Sequence, residues 1–233
     1  MRSTRSRRPR KVVPGEDRET SLRRRVVETC REMNAAGINQ GTSGNLSARL
    51  DDTTFLVTPS GLDYEAMAPE DVVAMEFDGR TKGEGGLEPS SEWRMHRDIL
   101  VARSDLDAVL HAHPVHATAL ACHGRGIPAF HYMVAAAGGT DIRCAPYHTF
   151  GSTALAEAAL EAMEGRRACL LAHHGMLAGG GDPEAALALA VEVETLAAMY
   201  LEALRLGEPK ALPEDEMTRV LEAFSHYGKA RRR

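Results

Sequence analysis

Short apolar, β-branched runs alternate with helix-length amphipathic segments along most of this 233-residue chain. That alternation constrains the architecture more than any other feature. Residues 21–37 read as a helix capped by Ser21, with Leu22, Val26, Val27, Cys30 and Met33 on its apolar face and Gly37 at its end. Strands are expected around Leu46 and Ala48, at Phe55-Leu56-Val57 before the Pro59-Ser60-Gly61 stop, and over 72–77 before Asp78-Gly79. Pro89-Ser90-Ser91 opens a helix that runs to about Arg103, followed by a strand over 107–113 and a helix from near Pro114. Residues 134–137 look helical, 142–145 extended, 152–164 helical and 168–173 extended. A long helix over 183–206 starts on a proline, and a last one spans about 214–224. Strands interleaved with helices imply an α/β fold, a three-layer α/β/α sandwich. Because the early strands lie so close together, its central sheet should be mixed and largely antiparallel.

Composition closes off several function classes. A net charge of −5 argues against a general nucleic-acid binder, and no run of eighteen apolar residues is present to span a membrane. Residues 1–17 carry Arg2, Arg5, Arg7, Arg8, Arg10 and Lys11 with no apolar stretch behind them. They read as a basic, flexible extension and not as a secretory signal, and the tail 229–233 reads the same way, leaving one domain over 18–228. Cys30, Cys122, Cys144 and Cys169 are widely spaced with no C-x-x-C pair, which suits reduced thiols in a cytoplasmic protein. The only lysines are Lys11, Lys82, Lys210 and Lys229. None is placed for the desolvated pocket that a Schiff-base lysine requires, so carbonyl chemistry here would need a metal.

Two histidine clusters supply candidate ligands. His111-Ala112-His113 ends an expected strand, where residues i and i+2 share a face, so both imidazoles converge. His173-His174-Gly175 ends another, and one of its histidines would complete three protein nitrogens with a position left open, the pattern of a catalytic zinc site. Three loops rich in hydroxyls and glycine, Thr42-Ser43-Gly44-Asn45, Thr58-Pro59-Ser60-Gly61 and Pro89-Ser90-Ser91, suggest a phosphate cradle. Ser90 and Ser91 stand where a helix begins and its dipole favours an anion. Neither a G-x-G-x-x-G fingerprint nor a P-loop is present, so a dinucleotide or ATP is not indicated. Glu92 follows directly, either as a first-turn dipole partner or as a base near both phosphate and metal.

The ordered set Asn39-Gln40-Gly41-Thr42-Ser43-Gly44-Asn45-Leu46-Ser47, Thr58-Pro59-Ser60-Gly61, Pro89-Ser90-Ser91-Glu92-Trp93-Arg94, His111-Ala112-His113, the run from His131-Tyr132-Met133 to Gly138-Gly139, Cys144-Ala145-Pro146-Tyr147 and His173-His174-Gly175 resembles the class II aldolase/adducin family. It covers about residues 20–228, and the segment 131–147 is most similar to the fuculose-phosphate branch. The resemblance implies that His111, His113 and His174 hold a divalent metal, most simply Zn2+, with Glu92 reaching it when substrate is absent. It implies phosphate contacts from Gly44, Asn45, Ser60, Gly61, Ser90 and Ser91. Tyr132 matches the family's acid, supplied by a neighbouring subunit of a homotetramer, and Tyr227 matches a tyrosine that closes over the site. His148 departs from the pattern.

The expected activity is reversible cleavage of a ketose 1-phosphate, L-fuculose 1-phosphate or similar, to dihydroxyacetone phosphate and a lactaldehyde-like aldehyde. Glu92 would move the proton on carbon and Tyr132 the proton on the aldehyde oxygen. The alternatives on the same scaffold are an L-ribulose-5-phosphate 4-epimerase, a dehydratase of a methylthio-sugar phosphate and a non-catalytic adducin-like binding module.

Overall fold

A computed structural model describes residues 17–83 and 86–226. Seven strands form one sheet in the order β3-β2-β1-β4-β7-β6-β5: β1 Asn45–Arg49, β2 Thr54–Val57, β3 Val73–Glu76, β4 Ala108–Ala112, β5 Cys144–Ala145, β6 Ala168–Leu171 and β7 Gly175–Gly180. Every neighbouring pair is antiparallel except β5–β6. The α-helices are α1 Arg18–Ala35, α2 Trp93–Ala102, α3 Val115–Cys122, α4 Thr153–Ala162, α5 Pro183–Leu204 and α6 Glu214–His226, and Tyr132–Ala137 forms a 3-10 helix.

The period-2 alternation of the strands makes two cores. Ala108, Leu110 and Ala112 of β4, with Met176 and Ala178 of β7, pack into a core that includes residues of α1, α3 and α5. Val109 and Leu177 face the other way, into a core with Met95, Ile99 and Leu100 of α2 and Leu155, Ala156 and Ala159 of α4. The expected three-layer sandwich with a largely antiparallel sheet is what the chain builds.

Local boundaries differ in instructive ways. Helix α1 begins before Ser21, because the Asp17 carboxylate accepts from the Thr20 N–H at 3.0 Å and from its hydroxyl at 2.7 Å; Ser21 sits inside the first turn, its N–H bonded to the Asp17 carbonyl. Helix α2 starts at Trp93, and Ser90 and Ser91 lie just ahead of it. Strand β6 stops at Leu171, and residues 172–174 turn the chain into β7, Gly-Met-Leu-Ala-Gly-Gly, which the sequence reading passes over. Glycine is a poor strand former, but close approach requires it here. A Cβ on Gly175 would lie 2.5 Å from the Ala112 carbonyl oxygen, one on Gly179 2.7 Å from Leu106 Cδ1, and one on Gly180 2.5 Å from the Ala186 nitrogen. No helix among the described residues is long and apolar enough to cross a membrane.

Candidate metal and phosphate site

Strand β4 carries His111 at its penultimate position and releases His113 just beyond its end, on the same face. The β6–β7 turn brings His174 alongside. Its neighbour His173 takes a positive φ of 54°, and its ring stands edge-on to Tyr147, the centroids 6.0 Å apart. The three imidazoles of His111, His113 and His174 meet pairwise with centroids 4.7–5.0 Å apart. One ligand nitrogen from each lies within 4.8 Å of the others. The sequence alone left the choice between His173 and His174 open, and the turn places His174 in the cluster.

Protonation states follow from the surroundings. His111 is fully buried, and its Nδ1 lies 2.9 Å from the Met176 carbonyl. That oxygen can only accept, so Nδ1 carries the proton and the Nε2 lone pair points into the cluster. Burial lowers the His111 pKa to about 4 against the opposing pull of Glu92. Burial also lowers His113, with His174 adding to the effect. His111 Nε2 sits only 2.8 Å from His113 Nε2.

Glu92 occupies the N-cap position of α2 without capping it. Its carboxylate turns inward instead, Oε2 lying 3.4 Å from His111 Nε2 and Oε1 3.4 Å from His174 Nε2. Burial opposes its charge, but the neighbouring His111, the Asn45 amide and His174 outweigh that and hold its pKa below the ordinary carboxylate value. Glu92 Oε1 is buried with no hydrogen-bond partner. An orphaned carboxylate oxygen beside three converging imidazoles is the donor set of a divalent cation site, so these residues fit the metal.

The three hydroxyl-rich loops converge beside this cluster. The chain at 58–60 is tied to 88–90 by backbone bonds from Ser60 N–H to the Glu88 carbonyl at 2.9 Å and from Ser90 N–H to the Thr58 carbonyl at 3.0 Å. The loop before β1 is locked from below, for the Tyr64 hydroxyl donates to the Gly44 carbonyl. A Cβ on Gly44 would lie 2.7 Å from the His111 carbonyl oxygen, which ties that loop to the strand bearing the imidazoles. An open cleft of about 330 Å³ is lined by Thr42, Ser43, Gly44, Asn45, Ser60, Gly61, Ser90, Ser91, Glu92, His113 and His174. Pro59, Tyr147, His148, Phe150 and His173 complete its wall. No lysine or arginine is among the lining residues, so an anion there would meet hydroxyls, backbone and the start of α2.

Not every expected residue arrives. Tyr132 is half exposed on the 3-10 helix and does not line the cleft. Tyr227 lies outside the described residues, as does the basic extension at 1–16. The Asn45 side chain is also not free for an anion. Its Nδ2 donates to Glu92 Oε2 at 3.0 Å and its Oδ1 meets His96 Nε2. The sequence pattern does not mark His96 as a site residue. It stands four residues after Glu92, on the same helix face, and that spacing is its signal.

Comparison with known proteins agrees with this geometry. Residues 24–201 match the family model described as the class II aldolase and adducin N-terminal domain. A 5-methylthioribulose-1-phosphate/5-deoxyribulose-1-phosphate aldolase of Rhodospirillum rubrum is 53% identical over 208 residues, 89% of this chain and 93% of that protein. An L-fuculose phosphate aldolase of Escherichia coli K12 is 47% identical, over 89% of this chain and 95% of the relative. A solved L-fuculose 1-phosphate aldolase superposes with a TM-score of 0.84 at 40% identity, covering 88% of this chain and 96% of that one. On the match to the family model and on these identities, the chain belongs to the class II aldolase/adducin family.

Proposed function

We propose that this protein is a metal-dependent aldolase that reversibly cleaves a ketose 1-phosphate to dihydroxyacetone phosphate and an aldehyde. The observation that carries the reading is a cluster of three converging imidazoles and an orphaned carboxylate, of which His113, His174 and Glu92 line one cleft with three hydroxyl- and glycine-rich loops. His111, His113 and His174 would hold the cation, Zn2+ in this reading, and Glu92 would reach it when substrate is absent. When bound, the cation would supply Lewis-acid stabilisation of the negative charge that carbon–carbon cleavage leaves on the substrate. Glu92 then removes or returns the proton at the substrate carbon, the role for which a buried, ionised carboxylate at the cluster is suited. Gly44, Ser60, Gly61, Ser90 and Ser91 receive the phosphate, with Asn45 contributing through its backbone, because its side chain is committed elsewhere.

Tyr132, half exposed and not among the residues that line its own cleft, would serve the cleft of a neighbouring copy in a homotetramer, moving the proton on the aldehyde oxygen. Tyr227 would close over the site. The free thiols at Cys30, Cys122, Cys144 and Cys169 suit a cytoplasmic setting.

The substrate is narrowed by the relatives, named for fuculose phosphate on one side and for methylthioribulose and deoxyribulose phosphates on the other. Tyr147 and Phe150 in the cleft wall favour an aldehyde end without a terminal hydroxyl, which is common to both. Assaying L-fuculose 1-phosphate, 5-methylthioribulose 1-phosphate and L-ribulose 5-phosphate, with and without EDTA, tests the reading. Release of dihydroxyacetone phosphate from either 1-phosphate, abolished by EDTA, is expected. Epimerisation of the 5-phosphate without cleavage of the others would refute it.

A further inference from the structure

Four polar side chains form one buried file along the seam between β1 and α2, and only the last of them touches the imidazole cluster. Ser47 Oγ lies 2.8 Å from His96 Nδ1, His96 Nε2 meets Asn45 Oδ1, and Asn45 Nδ2 donates to Glu92 Oε2 at 3.0 Å. Ser47 and His96 have no exposed surface, and Asn45 is 4% exposed. Asn45 and Ser47 share a face of their strand by i, i+2 spacing, and Glu92 and His96 share a face of their helix by i, i+4. Buried polar groups are retained where every member is paired, and a partly paired file is costly.

The direction of each bond follows from the carboxylate end. An ionised Glu92 can only accept, so Asn45 must turn its NH2 toward it. The Asn45 carbonyl oxygen therefore faces His96, and His96 Nε2 must carry the proton. That leaves Nδ1 as the acceptor for the Ser47 hydroxyl. Read from the carboxylate end, the orientation of each member is set by the next.

We propose that His96 is a positioning residue which, through Asn45, holds the Glu92 carboxylate in its orientation toward the imidazole cluster. This rests on the reading of Glu92 as the group that reaches the metal and moves the proton. Without a donor at position 96 the Asn45 amide is free to turn over. Its carbonyl oxygen would then face the carboxylate, and repulsion would displace Glu92.

The test uses full-length protein loaded with cobalt(II), whose visible absorption reports its ligands, and compares His96→Asn with His96→Gln. The glutamine amide can reach Asn45 as His96 Nε2 does, whereas the asparagine amide matches only Nδ1. The expected result is that His96→Asn binds cobalt in unchanged amount but with a spectrum moved toward that of Glu92→Gln. Its kcat should fall about 10- to 100-fold with KM changed less than about twofold, and His96→Gln should restore both. Ser47→Ala, which removes the partner of Nδ1, should give an intermediate loss. A merely structural role would affect both position-96 variants alike, and equal spectra and kcat for the two would overturn the proposal. So would a His96→Asn loss that adds in full to that of Glu92→Gln in the double variant. Wild-type protein that takes up no cobalt would refute the metal reading itself, and the role of His96 with it.

Discussion

Gly175→Ala places one methyl group where the hairpin and the imidazoles leave no room for it. The added Cβ would stand 2.5 Å from the Ala112 carbonyl oxygen, 2.7 Å from His113 Cδ2 and 3.3 Å from His111 Cε1. Non-bonded carbon contacts are comfortable near 3.5 Å, so β7 must separate from β4, or the His113 ring must move, by on the order of 1 Å. Overpacking of this kind costs about 1–3 kcal/mol, and a domain of this size loses roughly 2–4 °C of Tm per kcal/mol. The functional cost should be larger. A metal site tolerates displacements of only about 0.2 Å, and a misplacement of about 1 Å in reacting groups reduces turnover by roughly 100-fold. The measurements are urea unfolding, zinc affinity by competition with a chromophoric chelator, and kcat/KM. Gly181→Ala is the control, since nothing lies within 4 Å of a Cβ there; it should change stability by less than about 0.5 kcal/mol. Wild-type stability and zinc affinity together in Gly175→Ala would show that the hairpin yields, and the packing argument would fail.

Glu92→Gln should retain bound metal, because the three imidazoles remain, while turnover falls by about 100- to 10,000-fold; near-normal activity in that variant would remove Glu92 as the base. Stripping the metal with EDTA should abolish cleavage and lower the apparent Tm. Zinc at about a thousandfold over its Kd contributes roughly 4 kcal/mol, on the order of 10 °C, and an unchanged Tm would argue against a folded-state site. In metal-free protein, burial lowers the pKa of His96 and of His111 from 6.5 to about 4. Between those values the unfolded chain holds a proton that the folded chain does not. Stability is therefore full above pH 6.5 and declines as pH falls toward 4, by about 1.4 kcal/mol per pH unit per proton. Unfolding titrations of wild type and His96→Gln should differ by about one proton, and identical slopes would contradict a neutral buried imidazole at position 96.

Much of this molecule is visible in its sequence because the burial pattern follows simple periods. The i, i+2 rule places His111 and His113 together. Hydroxyl-rich loops mark the cleft, and helices α3, α4 and α5 start close to their proline or serine signals. What the sequence hides is hidden for physical reasons. Strand β7 contains three glycines in six residues, which propensity counts against a strand, whereas neighbouring backbone leaves no room for a Cβ at Gly175 and Gly180. His96, amid Met95, Ile99 and Leu100, reads as a core residue, and its partners lie about fifty positions away on β1. Tyr132 is placed near a site only by resemblance, since within one chain it does not reach the cleft.

The alternation of β4 has a consequence for quality control. Leu110 and Ala112 face one core while Val109 faces the other, His111 lies on the Val109 side by the strand's alternation, and the strand is held on both sides, His111 opposite Asn45 on β1 and opposite Leu177 on β7. A slip of one residue would turn His111 into an apolar core and Leu110 and Ala112 toward the candidate metal site. Fold and candidate ligand set are thus encoded by the same alternation, and a sheet slipped by one residue cannot keep the imidazoles assembled. If the cluster holds a metal as proposed, metal uptake after refolding should fall in a preparation with this strand slipped by one residue.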